Sequence, residues 1–208
     1  MHLPRVEDGG ALYDSGEAVD LDQPPGDIIF LTSADTEVSL LSAAASRLAD
    51  EEDAPAVRIA NYLSLTHPFS VDNYLAATVA GAKLVVVRLL GGTGYWSYGV
   101  QQLRSLADRS ALQVVFLAGD GKPDPELDYL SSLSPDRCHA LAAYLDAGGP
   151  DNAFAFLTAL RDLCDGGDMA PPPAPLLRAG IYWPGHRTPD LATLRVDWQD
   201  GAPVAAIV

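Results

Sequence analysis

Two cations, four glycines and three aromatic rings crowd the stretch 83–99, KLVVVRLLGGTGYWSYG. Arg88 can pair with an anion. Gly91, Gly92 and Gly94 reach backbone angles closed to other residues, and a glycine turn leading into a helix offers free N–H groups to a phosphate. Tyr95, Trp96 and Tyr98 carry flat faces suited to a planar ligand. Trp96 shares a helical stripe with Val100, Leu103 and Ala107 and reads as core, whereas Tyr95 and Tyr98 stay open as ligand contacts. The dinucleotide fingerprint requires a third glycine three residues after the second. Position 97 is Ser, the next glycine is Gly99, and no Gly-Lys-Ser/Thr follows. A structural glycine turn is therefore favoured over a nucleotide site.

The remaining reactive residues are dispersed. The histidines are His2, His67, His139 and His186, and none pairs with another at metal-ligand spacing. Cys138 and His139 are adjacent and point apart on a helix. No Gly-x-Ser-x-Gly elbow occurs. No catalytic residue and no metal ligand is assigned. His67 stands out because it sits on a loop that follows a strand. Asp35 and Asp120 also follow strands, where helix capping and turn formation account for them. The two cysteines, Cys138 and Cys164, fall in helices and read as reduced and structural.

These residues need a frame, and the hydrophobic pattern supplies one. Leu84–Leu90 is an apolar run interrupted only by Arg88, which reads as a strand buried on both faces. Asp27–Thr32, Val57–Leu63 and Ala111–Ala118 read as three more strands. Helices fall between them: one capped by Ser33 or Asp35 and running to about Ala49, one capped by Ser70 and stopped at Gly81, and one over Tyr95–Ala107. Alternation of this kind predicts an α/β fold with a flavodoxin-like parallel sheet, in which ligands sit at the carboxyl ends of the strands. After Pro125 only helices follow: Glu126–Leu130, one opening at Ser134-Pro135 with Cys138, Leu141 and Leu145 on its apolar side, and one opening at Pro150 with Phe154, Leu157, Leu160 and Cys164 as its stripe. The expected organisation is an irregular, partly mobile acidic lead-in over 1–26, an α/β domain with a helical extension over 27–165, a Pro-rich linker over 166–177, and the start of a second α/β unit over 178–208. That unit holds strands at 178–183 and 204–208 and looks truncated.

With 208 residues and 48% hydrophobic content, the chain can bury a sizeable core. Its net charge of −15 argues against a general nucleic-acid binder. The charge is uneven: residues 57–119 hold five Lys and Arg against two Asp, while the flanking segments are acidic. That local excess, together with Arg88 near a strand end, favours an anionic ligand there. This reading requires that Arg88 not be paired with an acidic side chain in the core. The N-terminus has no signal-peptide pattern and no apolar run reaches membrane-spanning length, so a cytoplasmic location is expected.

Four stretches together resemble a known family: Leu65-Thr66-His67-Pro68-Phe69-Ser70-Val71-Asp72-Asn73-Tyr74, Arg88-Leu89-Leu90-Gly91-Gly92, Tyr95-Trp96-Ser97-Tyr98-Gly99, and Gly148-Gly149-Pro150-Asp151-Asn152. They are similar to the N-terminal region of the large subunit of cobaltochelatase, CobN type, which is related to the magnesium chelatase large subunit. The likeness covers nearly all of the chain after residue 26. It implies ATP-dependent insertion of Co2+ into a corrin, hydrogenobyrinic acid a,c-diamide, in aerobic cobalamin biosynthesis. It also implies a complex that uses ATP, Mg2+ and Co2+ and that contains the remainder of the large subunit and two partner subunits, one an AAA+ ATPase. The family's large subunit is several times longer, so this chain alone is expected to bind no cofactor and to insert no metal. His67, Arg88, Gly91, Gly92, Tyr95 and Tyr98 are the candidate substrate-binding residues. The competing readings are a small flavodoxin-like cofactor-binding module and a protein-interaction domain without catalysis.

Overall fold

The computed structural model describes residues 18–167, 171–174, 181, 185 and 190–196. The chain divides into two compact units, Met1–Ala174 and Pro175–Val208. Half of the expected linker over 166–177, namely 168–170 and 175–177, lies outside the described residues. So do the strand at 204–208, nearly all of that at 178–183, His2 and His186.

The first unit is a four-stranded parallel sheet in the order β2-β1-β3-β4, with β1 Ile28–Thr32, β2 Val57–Asn61, β3 Leu84–Leu89 and β4 Gln113–Ala118. The register pairs Thr32 of β1 with Arg88 of β3, and Asn61 of β2 with Thr32. Every residue of β1 and β3 is buried, as their unbroken apolar runs require of interior strands. The flavodoxin-like α/β reading holds, with β3 in the interior.

Side chains alternate between the two sheet faces, and each face has its own helical cover. Ile29, Leu31, Val85, Val87, Val114 and Phe116 meet α2 (Pro68–Tyr74), α3 (Ser97–Ala107) and α4 (Pro125–Leu130). Ile28, Phe30, Leu84, Val86, Val115 and Leu117 meet α1 (Asp35–Leu48), α5 (Pro135–Ala147) and α6 (Pro150–Cys164). Of the helices expected as an extension after Pro125, α5 and α6 thus join α1 on one face, whereas α4 joins α2 and α3 on the other. Phe30 meets Phe156 of α6 edge-to-face at 5.6 Å. Each such fully buried side chain contributes about 1.5–3 kcal/mol.

Several local expectations are corrected. The second strand stops at Asn61 rather than Leu63, because the Asn61 side chain accepts the Leu63 N–H and starts a 3-10 turn over Tyr62–Ser64. The helix expected to begin at Ser70 starts at Pro68. His67 is its N-cap, with Nδ1 accepting the Phe69 N–H at 3.1 Å, and Ser70 is buried, its Oγ accepting the Val19 N–H. A π-helical turn, Leu75–Val79, extends α2 before Gly81 at φ +102°. Neither Ser33 nor Asp35 caps α1. Its N-cap is Ala34, whose N–H is accepted by the Thr32 hydroxyl. In α6 the core stripe runs through Phe156 instead of Phe154, whose ring carries the Arg47 guanidinium 3.8 Å above its centroid.

Two further features lock the edges. Residues 18–26 form no helix or strand, yet Gln23 ties them down: its amide donates to the Ile59 carbonyl, its Oε1 accepts from the Tyr74 hydroxyl, and its carbonyl accepts from Thr78. Along the outer edge of β4, the Ser131 and Ser132 hydroxyls accept the N–H groups of Phe116 and Val114, which covers an otherwise open strand edge. In the second unit the described helix is α7, Leu191–Arg195, capped by the Asp190 carboxylate. The N–H groups at that cap hold the Asp190 carboxyl below its usual range.

Candidate functional site

The strand order reverses between β1 and β3, and the carboxyl ends of these strands form the crevice where ligands of open parallel sheets sit. Arg88 lies at this point but does not face out. It is 7% exposed, and its Nη2 donates to Asp146 Oδ1 at 2.7 Å. Its Nη1 lies 2.7 Å from Glu37 Oε1, and the other Glu37 oxygen accepts from Thr32 Oγ1 at 2.6 Å. Arg88 Nε has no partner. The cation is therefore neutralised inside the fold by carboxylates from α1 and α5. The condition attached to its role as an anion receptor fails, and Arg88 is a structural residue that joins two helices to the sheet.

The local basic excess disperses in the same way. Arg58 donates to the carbonyls of Pro24 and Pro25. Lys83 precedes β3 at the amino edge of the sheet, 3.9 Å from Asp165. Arg104 and Arg109 sit at the C-terminal end of α3, bonded to Asp108 and to the Ser105 carbonyl respectively. None of the five basic residues of 57–119 presents a free charge at the carboxyl edge. Several groups on that edge are acidic: Asp35 accepts from Asn61, Asp72 from the Tyr98 hydroxyl, and Glu126 from Thr93, while Lys122 stands on the loop after β4.

The glycine turn has its own structural cause. Gly91 has φ +87° and Gly92 φ +78°. A Cβ on Gly91 would come within 2.4 Å of the Tyr95 ring, so Gly91 makes room for that ring. Asp124 Oδ2 lies 3.5 Å from the corresponding position on Gly92, and Thr93 binds Glu126. With two carboxylates beside it and no lysine, this turn does not fit a nucleotide phosphate. Trp96 is core, as its stripe implies. It is buried, its indole N–H donates to the Leu65 carbonyl at 2.8 Å, and it stacks on Tyr62 at 5.5 Å.

The other candidates share the carboxyl edge. His67 caps α2 there, and because Nδ1 accepts a backbone N–H, a neutral ring carries its proton on Nε2. Tyr95 is 36% exposed. Tyr98 bonds both Asp72 oxygens at 2.9 and 3.1 Å, and this carboxylate raises the phenol's pKa. Asp120 accepts the Lys122 N–H and shapes a turn.

Sequence reasoning missed a second set of residues on this edge. Leu63, Phe69 and Leu90 are 49%, 65% and 51% exposed, on the segments that follow β2 and β3. The Leu90 N–H reaches the Tyr62 hydroxyl at 3.4 Å, which ties the loop after β3 to the turn after β2. One signal was visible: Phe69 falls off the apolar stripe of its own helix. A small cleft of about 100 Å³ lies further along the edge, between β4, α4 and α5, where His139 Nε2 and Asp128 are 3.0 Å apart. Among the described residues no group of three or more His, Cys, Asp or Glu is placed to hold a metal ion. No helix among them is long and apolar enough to cross a membrane.

No family model matches the chain. It is 43% identical over 185 residues, 89% of its length, to the aerobic cobaltochelatase subunit CobN of a Sinorhizobium species. It is 40% identical over its full length to the subunit of the same name from Pseudomonas aeruginosa. The chain spans 14% and 16% of these relatives. A solved structure, the catalytic subunit of cobaltochelatase from Mycobacterium tuberculosis, matches 77% of the chain with a TM-score of 0.59 and 22% identity, over 12% of its own length. At that identity the likeness bears on the fold, and it agrees with the parallel sheet described above. The chain is the homologue of one segment of the aerobic cobaltochelatase subunits named CobN.

Proposed function

We propose that this chain is an α/β module of the large, tetrapyrrole-binding subunit of an ATP-dependent cobaltochelatase, corresponding to that subunit's N-terminal region. The full complex inserts Co2+ into hydrogenobyrinic acid a,c-diamide in the cytoplasm, with two partner subunits, one of them an AAA+ ATPase, and with ATP and Mg2+. The observation that carries this reading is the 40–43% identity to CobN subunits across 89–100% of the chain. Metal insertion requires a metal held by ligands and a ring held against it. The glycine turn faces carboxylates, so ATP would be handled by the partner subunit. The module contributes a contact face at the carboxyl edge of the sheet, where His67, Gly91, Gly92, Tyr95 and Tyr98 lie.

The test is a chelation assay with corrin, Co2+, ATP, Mg2+ and the two partner subunits. A chimera in which this chain replaces the matching segment of the Pseudomonas aeruginosa relative is expected to insert cobalt, and the 208-residue chain alone to insert none. Turnover by the chain as the only large-subunit component, or an assembled chimera without turnover, overturns the proposal.

A further inference from the structure

The carboxyl edge presents an apolar centre and an acidic rim. Leu63 lies in the 3-10 turn after β2, Phe69 in the first turn of α2, and Leu90 and Tyr95 in the segment between β3 and α3, and all four are at least 36% exposed. Asp72 and Glu126 stand on the same edge, joined through Tyr98 and Thr93 to the turn that carries Tyr95. An apolar centre inside a polar rim is the anatomy of a protein–protein interface. The basic residues of 57–119 lie elsewhere or, at the switch point, are neutralised as Arg88 is, and Lys122 stands on the loop after β4 in one cleft with Asp124 and Asp128. A corrin bearing carboxylate side arms would meet like charge here. A polypeptide face with apolar side chains ringed by Lys and Arg meets both features. Relatives six to seven times longer than the matched segment carry further polypeptide in the same molecule that could present such a face.

We infer that the Leu63–Phe69–Leu90–Tyr95 surface is a docking face for another part of a CobN-length subunit, whose contacting surface is apolar at its centre and basic at its rim. This rests on the family reading above, and it assigns the edge to intramolecular assembly instead of to direct contact with the corrin.

Diazirine footprinting of the peptides spanning 62–72 and 89–97 tests it, in the 208-residue chain and in the chimera. Val85–Val87 of the buried β3 serve as the internal standard of folding, unlabelled in both. Labelling of Phe69, Leu90 and Tyr95 should fall at least about fivefold in the chimera. Phe69→Asp, and separately Asp72→Lys combined with Glu126→Lys, should restore it. Equal labelling in both proteins overturns the inference. So does a fall in labelling of the chain alone with rising protein concentration, which would assign the face to a second copy. A fall on adding cobyrinic acid to the chain alone does the same, since it would assign the face to the corrin. Because the readout is labelling and not turnover, loss of this inference leaves the chelatase reading standing. An inactive chimera with a protected face removes only the latter.

Discussion

Arg88 shows how far a side chain's environment governs what it can do. Its guanidinium is held by Glu37 and Asp146, and it leaves Nε unpartnered in the interior. Arg88→Ala should destabilise the protein by about 2–4 kcal/mol in urea unfolding, because it strands Glu37 beside a buried strand. A loss below about 0.5 kcal/mol would show that the pairing is not structural. Tyr74 sets a pH limit. Burial raises its phenol pKa, with Arg58 opposing more weakly. The folded state then keeps a proton that the unfolded state loses, so stability is intact below about pH 10 and declines above it, by up to about 1.4 kcal/mol per pH unit for one group. Tyr74→Phe should flatten that part of a stability profile measured between pH 9 and 11. Burial likewise pushes the Cys164 thiol from 9.0 up to about 11. At pH 8 iodoacetamide should alkylate native Cys164 about a hundredfold more slowly than the unfolded chain.

At the scale of the element, α3 depends on a glycine in its first turn. A Cβ on Gly99 would lie 2.2 Å from the Trp96 ring, which is wedged between Tyr62 and the Leu65 carbonyl. Alanine in a helix normally gains about 0.5–1 kcal/mol over glycine. Overpacking costs about 1–3 kcal/mol and should win. Gly99→Ala is expected to lower the midpoint of thermal unfolding and shift the Trp96 emission to longer wavelength, and an unchanged midpoint would mean the ring can swing aside. Interior strands were the most legible elements, since β1 and β3 must be apolar on both faces and little else reads that way. Helix starts were less so. His67 and Ser70 are both competent caps, and only the position of Pro68 at the first helical residue decides between them. The site was legible as a place and misread as a charge. The glycine turn and strand ends marked the carboxyl edge, but Glu37 and Asp146, which neutralise Arg88, come from helices far away in the chain. No local pattern around residue 88 announces them. The exposed apolar residues were read as strand and loop, because exposure depends on which neighbours the fold brings near.

At the scale of the whole molecule, the end of the first unit is pinned by side chains. The Asn152 amide donates to the carbonyls of Gly148 and Ala174, and its oxygen accepts the Ala174 N–H. The Tyr144 hydroxyl donates to the Pro171 carbonyl. Asn152→Ala should leave those backbone groups unpaired at a cost of about 1–3 kcal/mol. Hydrogen exchange at the Ala174 amide should speed up by at least tenfold, and unchanged exchange would show that Asn152 is not the tether. The strand order also dictates a schedule for folding during synthesis. β1 and β2 leave the ribosome early and can pair, yet the second neighbour of β1 is β3, made only at residues 84–89. The face bearing Phe30, Val86 and Leu117 then waits for α5 and α6, the last of which ends at Cys164. Nascent chains that have passed β4 but not α6 carry a finished sheet with one apolar face only partly covered, by α1. That interval is when chaperones would have the most to hold, and when stalled synthesis would most readily lead to aggregation.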